Sequence, residues 1–272
     1  MDAATVRSDL QRASGEVLVS VKRRDDKSVL DQLRQAGCLK ARFPRDDNAG
    51  GLNVVTLNTS GGIAGGDDLR SSFSIGAAAS ATIAGQAAER SYRALPDSPA
   101  SFVQTRIVVT KGGAAEWLPQ EMILFDGCRV RRSLQVELAE DARFLGIESL
   151  VFGRTAMGEA VNHGSLRDVI ELRRGGRLLL HDAVRLDGEV AMKLQRKGIA
   201  DGARALATIV YVAPDPDVML APLRRLGIGT SVWDGMLIAR ILGATGAVLR
   251  TTVVDALQVL RGGRPLPRVW LC

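Results

Sequence analysis

The chain has 272 residues, of which 46% are hydrophobic and only 4% aromatic, so aliphatic side chains must build most of its core. Its formal charge of +6 comes from short, scattered basic runs, which argues against nucleic-acid binding and favours an acidic protein partner. No apolar run could span a bilayer and the first residues lack a secretory signal, so we expect a cytoplasmic protein of one domain, residues 1–272, without a membrane partner.

Strand patterns dominate most of the chain. Apolar and polar residues alternate in short segments separated by Gly, Asp or Asn, which is typical of an all-β fold. The predicted strands cover residues 15–21, 52–57, 80–84, 101–110, 129–138, 143–152, 167–173, 177–186 and 205–212. Dipeptides that supply the positive φ of hairpin turns occur at Gly112-Gly113, Asp126-Gly127, Gly175-Gly176 and Asp187-Gly188.

A first helix is predicted after the last of these strands. Asp215 and Pro216 provide an N-cap and a first-turn proline for a helix over residues 217–226. Because proline disrupts a helix interior, Pro222 predicts either a kink or a later start.

A second helix is predicted over residues 253–260, with Thr252 as its N-cap. Before it, residues 236–252 contain a Gly-Ala-Thr-Gly break flanked by β-branched residues. These residue types favour strands, so the segment is predicted to form a hairpin.

Cysteine and histidine are too few and too scattered for a disulfide framework or a tight metal site. Cys38, Cys128 and Cys272 are far apart and form no Cys-x-x-Cys pair, so we expect free thiols. Besides them the chain has only His163 and His181, so a buried tetrahedral site of His and Cys ligands is not expected. The sequence therefore predicts no permanently bound cofactor.

The stretch NTSGGIAGGDDLR, residues 58–70, places four glycines and two aspartates between two strand-like runs. It lacks the lysine of a phosphate-binding P-loop, the spacing of a dinucleotide fingerprint and the ligand pattern of an EF-hand. Two interpretations stay open: a structural backbone turn, or a turn that presents Asp67 to a cation. The glycines of the loop are Gly61, Gly62, Gly65 and Gly66.

No arrangement of catalytic residues emerges from the sequence. There is no Gly-x-Ser-x-Gly motif, and neither histidine has a serine or cysteine beside it in a recognisable pattern. This favours a binding or scaffold protein. Two alternatives stay open: a metal-independent adaptor, and a β-helical carbohydrate-active enzyme with paired carboxylates, for which three Trp and two Tyr offer few sugar platforms.

Several motifs occur in the order and spacing of one known family. The glycine loop is followed by QAAERSYRA at residues 86–94 and by AAEWLPQEMILFDGCRVRR at residues 114–132. Further along, GRTAMGEAVNHGSLRDVIEL covers residues 153–172 and PLPRVW covers residues 265–270. On these motifs the sequence resembles the urease accessory proteins called UreD, or UreH in some species. The resemblance runs from about residue 40 to the end, whereas residues 1–38 match weakly.

The resemblance implies a mainly β fold, a β-helix-like stack of sheets with two α-helices near the C-terminus, and no enzymatic activity. It implies a chaperone that binds the urease apoprotein and UreF, and that recruits the GTPase UreG through UreF. A dimer of this heteromeric accessory complex also fits the resemblance. The cargo is transient Ni²⁺, passed to urease through an internal polar channel, and loosely held oxygen ligands suit such transfer better than a His and Cys cage.

The resemblance also assigns candidate channel and partner residues. The first candidates for transient contact with Ni²⁺ are Asp67, Glu148 and His181. Further candidates in or beside the matched motifs are Asp182, Glu89, Glu121 and Asp126. Partner contacts are expected from Tyr92, Arg93, Arg268 and Trp270. For each position the alternative is a surface charge or a hydrogen-bonded side chain between strands.

Overall fold

The computed structural model describes residues 12–45, 51–154 and 157–271, and these ranges are built mainly of β-strands. The strands form one sheet of seven strands and one of ten, which confirms the prediction of a mainly β fold. In chain order they are β1 Ser14–Arg24, β2 Lys27–Gly37, β3 Leu39–Arg42, β4 Leu52–Asn58, β5 Asp68–Ile75, β6 Ser80–Gly85, β7 Glu89–Ser91, β8 Ser101–Val109, β9 Ala114–Leu118, β10 Met122–Leu124, β11 Arg129–Leu138, β12 Arg143–Phe152, β13 His163–Arg174, β14 Arg177–Glu189, β15 Ala205–Val212, β16 Gly229–Trp233 and β17 Met236–Gly243.

The chain winds back and forth between the two sheets. The seven-stranded sheet has the order β14-β13-β11-β8-β5-β1-β2, and the ten-stranded sheet has the order β16-β17-β15-β12-β9-β6-β4-β3, with β10 and β7 attached beside β12. Strands β1, β5, β8, β11 and β13 pair in parallel in the first sheet, and β4, β6, β9 and β12 do so in the second. This winding of parallel strands is the β-helix-like stack that the resemblance implied.

The main core lies between the sheets because alternation turns one face of each strand inward. In β1 the side chains of Val17, Val19 and Val21 are buried, and the residues between them are not. Phe73 on β5 is fully buried and its ring lies 5.7 Å from that of Trp117 on β9, centroid to centroid. Aliphatic and aromatic contacts of this kind join the two sheets.

A second core lies on the outer face of the ten-stranded sheet. Three helices follow the parallel strands: α1 Val190–Leu194, α2 Leu220–Arg225 and α3 Gly246–Leu260. Buried residues of α2 and α3 pack with outward residues of β12, β15 and β17. Strand β12 is therefore covered on both faces, which explains why its residues from Phe144 to Phe152 are all buried and read as an almost continuous apolar run.

Helix α3 begins earlier than predicted, and the prediction of a hairpin across the Gly-Ala-Thr-Gly break is wrong. The N-cap is Thr245, whose hydroxyl accepts a hydrogen bond from the Val248 N–H. Thr252, the predicted N-cap, lies inside the helix and donates to the Val248 carbonyl. Burial of an apolar stripe on the sheet outweighs the strand preference of valine and threonine. The stripe consists of Leu249, Val253, Ala256, Leu257 and Leu260.

The first predicted helix is confirmed with a later start. Residues Pro216–Met219 form a 3-10 turn, and α2 begins at Leu220. Pro222 therefore lies in the first turn of α2, where its missing N–H removes no hydrogen bond. The side chain of Asp215 makes no capping hydrogen bond. In the described ranges, no helix is long and apolar enough to cross a bilayer.

The glycine dipeptides have different roles. Gly175-Gly176 joins β13 to β14 in an antiparallel hairpin, as predicted. Gly112-Gly113 and Asp126-Gly127 are turns that carry the chain to the other sheet, so hairpins were the wrong prediction there. Asp187-Gly188 lies within β14 and is not a turn.

The cysteines of the described chain form no disulfide. Cys38 is partly exposed and Cys128 is buried. Burial raises the pKa of the Cys128 thiol to about 11, so it stays protonated at neutral pH. The remaining predicted free thiol, Cys272, lies outside the described residues.

Candidate functional site

A cavity of about 230 Å³ lies between the two sheets. Both sheets and the glycine loop contribute to its wall, and the small residues Gly85, Ala87 and Ala88 leave space on one side. The wall includes the exposed residues Gly61, Gln86, Ala87 and Arg90, so the cavity opens to solvent along this part of its wall. Its polar lining residues are Thr56, Asn58, Ser71, Gln86, Glu89, Arg90, Thr105, Gln120, Arg132 and Glu148. Polar groups that converge in a concave site mark it as the candidate functional site.

The inner end of the cavity is a buried set of charged and polar side chains. Arg132 on β11 donates from Nε and Nη2 to the two carboxylate oxygens of Asp168 on β13, at 2.8 and 2.7 Å. Its Nη1 lies 2.7 Å from Oε2 of Glu148 on β12. The indole of Trp117 on β9 donates to the other Glu148 oxygen at 2.9 Å. These four residues, the Arg132 cluster, connect the seven-stranded sheet to the ten-stranded sheet.

The Arg132 cluster contains more acidic groups than basic groups. Burial raises the pKa of Glu148; Arg132 and Trp117 oppose this rise, and Asp168 adds to it. Burial alone would lower the pKa of Arg132, but the two carboxylates raise it overall and keep the guanidinium charged. One guanidinium therefore faces two carboxylates. The cluster therefore contains one more acidic group than basic groups, and an excess of acidic oxygens favours the approach of a cation.

Glu89 lies on the cavity wall as well. The Asn58 side chain donates to its carboxylate at 3.2 Å. Burial raises the pKa of Glu89, while Asn58 and Arg90 act to lower it. Glu89 and Glu148 are the two predicted cation-contact residues that line the cavity. Across the part of the chain that the structure describes, no group of three or more His, Cys, Asp or Glu is placed to hold a metal ion.

Asp67 is buried in the glycine loop and does not line the cavity. Its two carboxylate oxygens accept hydrogen bonds from the backbone N–H groups of Ala13 and Ala64, both at 2.8 Å. The carboxylate therefore fastens the loop to the segment before β1. This gives Asp67 a structural role, and its contact with a cation stays a prediction.

The glycines of the loop allow its close packing. Gly62 has a φ of 149°, and a Cβ built there would lie 2.3 Å from the ring of Tyr92. The Tyr92 hydroxyl donates to the Gly61 carbonyl at 3.0 Å. Because Gly61 and Gly62 also line the cavity, this ring contact shapes its wall next to the opening.

We expect Asp67→Ala to lower the free energy of unfolding by about 1–3 kcal/mol, because two backbone N–H groups lose their acceptor in a buried site. Urea denaturation measures this change. Asp68→Ala is the matched control and should have little effect, since Asp68 pairs with the exposed Arg70. Equal stability of the Asp67→Ala protein and the unaltered protein would contradict the structural role.

Two predicted cation-contact residues lie on β14, away from the cavity lining. His181 is about half exposed, and its Nδ1 lies 3.8 Å from a carboxylate oxygen of Glu171. Asp182 accepts from Arg240 at 2.7 Å. The structure does not bring either residue together with Glu89 or Glu148 on the cavity wall.

The other two candidates also lie outside the cavity lining. The Glu121 carboxylate is 3.3 Å from Arg250. Asp126 accepts from the His163 backbone N–H at 2.9 Å and from Arg93 at 2.5 Å. The His163 N–H lowers the pKa of Asp126 more than any other contact does, so this carboxylate stays ionised.

The predicted partner residues divide into a surface pair and a C-terminal pair. Tyr92 and Arg93 are exposed next to the cavity opening, and the Tyr92 ring also packs 5.2 Å from that of Phe125. Arg268 begins the short 3-10 turn Arg268–Trp270. Trp270 is buried, and its indole N–H donates to a carbonyl oxygen of β9, so its side chain serves packing within this chain.

Three residues of the Arg132 cluster escaped prediction: Arg132, Asp168 and Trp117. Their sequence signal is the period of two, which places Arg132 and Asp168 among inward apolar positions of their strands. A charged residue at an inward position requires a buried partner, and a single sequence does not identify that partner.

Comparison with known proteins identifies a single family. A family model described as UreD urease accessory protein matches residues 13–271. This match also covers most of the segment before residue 39, where the motifs match weakly.

Individual relatives cover nearly the whole chain. This chain is 43% identical over 269 residues to "Urease accessory protein UreD" of Dinoroseobacter shibae, and the alignment covers 96% of this chain and 93% of the relative. It is 43% identical over 274 residues to the protein of that name from Ruegeria sp., covering 95% and 90%. Identity to the protein of that name from Xanthobacter autotrophicus is 39% over 274 residues, covering 98% and 93%.

Proposed function

Because the chain belongs to the UreD urease accessory protein family, we propose that it is a chaperone that helps to load Ni²⁺ into apo-urease. Family membership supports a role in urease maturation, and the family name describes an accessory rather than a catalytic protein. The observation that supports nickel transfer most directly is the interior cavity with Glu148 at its buried end. We propose that this work takes place in the cytoplasm.

In the proposed route, Ni²⁺ enters beside the exposed residue Gln86, passes Glu89 and reaches Glu148. Each carboxyl group offers oxygen ligands, and the excess of acidic oxygens in the Arg132 cluster offsets part of the cost of taking a divalent cation out of water. The two lining carboxylates do not form a closed ligand cage. Oxygen donors without a cage bind nickel loosely enough to release it.

The partners proposed are the urease apoprotein, UreF and, through UreF, the GTPase UreG. The surface of Tyr92 and Arg93 supports a docking site because it adjoins the cavity opening, and Tyr and Arg often dominate the binding energy of interfaces. A partner seated there would cover the opening. Since Trp270 is buried, Arg268 is the member of the C-terminal pair proposed to contact a partner.

Glu148→Gln tests the nickel route. We expect nickel per urease active site to fall by roughly tenfold or more in cells that express urease with its accessory proteins, because even outer-shell partners of metal ligands are worth about 10–100-fold in affinity. Metal analysis of purified urease gives this number, and urease activity should fall in parallel. Glu89→Gln should act in the same direction.

Glu121→Gln is the matched control, since Glu121 carries the same carboxylate but does not line the cavity. It should load nickel normally. Each variant must reach normal abundance, and tagged Glu148→Gln protein should still capture UreF and urease. Normal nickel loading by Glu148→Gln and Glu89→Gln would overturn the cavity route and favour a metal-independent adaptor.

A further inference from the structure

A second concavity, a cleft of about 300 Å³, lies on the other side of the ten-stranded sheet. Its floor is the strand row Ser80, Ala114 and Arg143, which are neighbours in register on β6, β9 and β12. The next row contains Leu145, which packs under the helices in the outer core. Helix α3 ends at Leu260 on the cleft wall, so it does not extend over the floor row with its small residues Ser80 and Ala114.

Arginine is concentrated at this cleft. Arg264 on the wall pairs with the buried Glu116 at 2.5 Å, and Arg261 behind it pairs with the same carboxylate at 3.0 Å. Arg143 is exposed and forms no ion pair with any residue of the described ranges. Within the described ranges, the other carboxylate that acts on the Tyr211 side chain of this cleft is the exposed Asp215, so three guanidiniums face two carboxylates there. The positive excess is concentrated on Arg143.

The Tyr211 side chain completes the polar wall. Burial raises the pKa of Tyr211, while Arg143 and Arg264 act to lower it and Asp215 adds to the rise, so its hydroxyl is a neutral donor at pH 7. Among the residues that the structure describes, this hydroxyl has no hydrogen-bond partner. The Thr82 hydroxyl, in contrast, already donates to Glu116 at 2.8 Å. The free donors of the cleft are therefore those of Arg143 and Tyr211.

We propose that this cleft binds an oxyanion, a carboxylate or a phosphate, through the Arg143 guanidinium and the Tyr211 hydroxyl, with Arg264 adding positive charge beside them. A guanidinium offers a planar fork of N–H donors that matches both groups. Small floor residues leave room for the anion beside Arg143. Because the cleft and the nickel cavity lie on opposite faces of the ten-stranded sheet, this site is independent of the proposed nickel route.

The two tyrosines of the chain give a direct assay. Full-length protein with isotopically labelled tyrosine shows one ring signal for Tyr92 and one for Tyr211. Inorganic phosphate, added at constant ionic strength, should shift the Tyr211 signal and leave the Tyr92 signal in place. Arg143→Gln should weaken this binding at least about tenfold, since hydrogen bonds to charged groups are worth more than neutral ones.

Arg106→Gln is the matched control, because Arg106 is an exposed strand arginine of the other sheet and pairs with Glu137. Its phosphate affinity should equal that of the unaltered protein. A second titration uses a short acetylated Asp-Glu peptide. Tighter binding of the peptide would identify a protein carboxylate as the ligand, and binding of phosphate alone would identify a free anion. An unmoved Tyr211 signal with both probes, or equal affinity in Arg143→Gln, would overturn the proposal.

Discussion

Arg132→Ala is expected to lower the free energy of unfolding by about 3–5 kcal/mol, because it leaves the buried carboxylates of Asp168 and Glu148 without their cation. Few substitutions should cost more, because the guanidinium binds one carboxylate from each sheet: Asp168 from the seven-stranded sheet and Glu148 from the ten-stranded sheet. Urea denaturation at pH 7 measures the loss. Arg106→Ala is the matched control, and its exposed ion pair with Glu137 should contribute little.

The pH dependence of this loss gives a second check. Without Arg132, nothing cationic opposes the burial that raises the folded-state pKa of Glu148 above its unfolded value of about 4.3. Protonation then favours the folded state, so the destabilisation should be full at pH 7 and should shrink as the pH falls toward about 4. The neutral variant Arg132→Met/Glu148→Gln/Asp168→Asn should recover much of the stability. A loss below about 1 kcal/mol at pH 7 would contradict the role given to Arg132.

The next largest effect is expected at Glu116, whose carboxylate holds the end of α3 and the C-terminal segment against the sheet. Arg261 is buried and donates to this carboxylate from Nε and Nη2. Glu116→Ala would leave the guanidinium buried without its anion, although backbone carbonyls of Arg264 and Pro265 still accept from it. We therefore expect a loss of about 3 kcal/mol, near the lower end for a broken buried pair.

The contribution of Glu116 should also be lost as the pH falls, but for a different reason, because here the carboxylate keeps its cations. Burial acts to raise the pKa of Glu116, but Arg261, Arg264 and Thr82 together lower it below its usual value. A carboxylate with a lowered folded-state pKa stabilises the protein above its unfolded pKa, about 4.3, and loses this effect as the pH falls through the folded value.

The measurement is the difference in unfolding free energy between the unaltered protein and Glu116→Gln. It should be constant from about pH 7 to about pH 5 and should shrink below about pH 4. Glu121→Gln, in which a partly exposed pair with Arg250 is altered, serves as the control. A difference that stays constant to about pH 3 would show that the charge of Glu116 is not what stabilises this contact.

Much of the fold could be predicted from the sequence because the strand signal is local. Strand β12 was predicted with its observed limits, Arg143–Phe152. Because both of its faces are covered, its sequence is mostly apolar, and such a run is easy to delimit. The start of α3 was missed because it depends on the sheet surface that the helix covers. Thr245 and Thr252 are equally good N-caps by residue type, and only tertiary packing selects Thr245.

The candidate site could be predicted only in part. Motif resemblance identified Glu89 and Glu148, but the partner of Glu148 was missed. Arg132 and Asp168 are directly opposite in register on β11 and β13, although the chain between them contains a strand of the other sheet. Pairing across such a distance depends on which strands become neighbours, and the period of two shows the face of a residue but not its neighbour.

The order of the strands in space has a consequence for biosynthesis. In the seven-stranded sheet β5 joins beside β1, and β8, β11, β13 and β14 then follow one another in space as they do along the chain. In the ten-stranded sheet β4, β6, β9, β12 and β15 do the same. A polypeptide leaving the ribosome can therefore add each of these strands to a finished edge and never needs to insert one between paired neighbours. The edge that each new strand exposes is covered when the next strand of the same sheet pairs with it. A chain released before β14 would keep an open parallel edge, the kind of surface on which unfinished proteins aggregate.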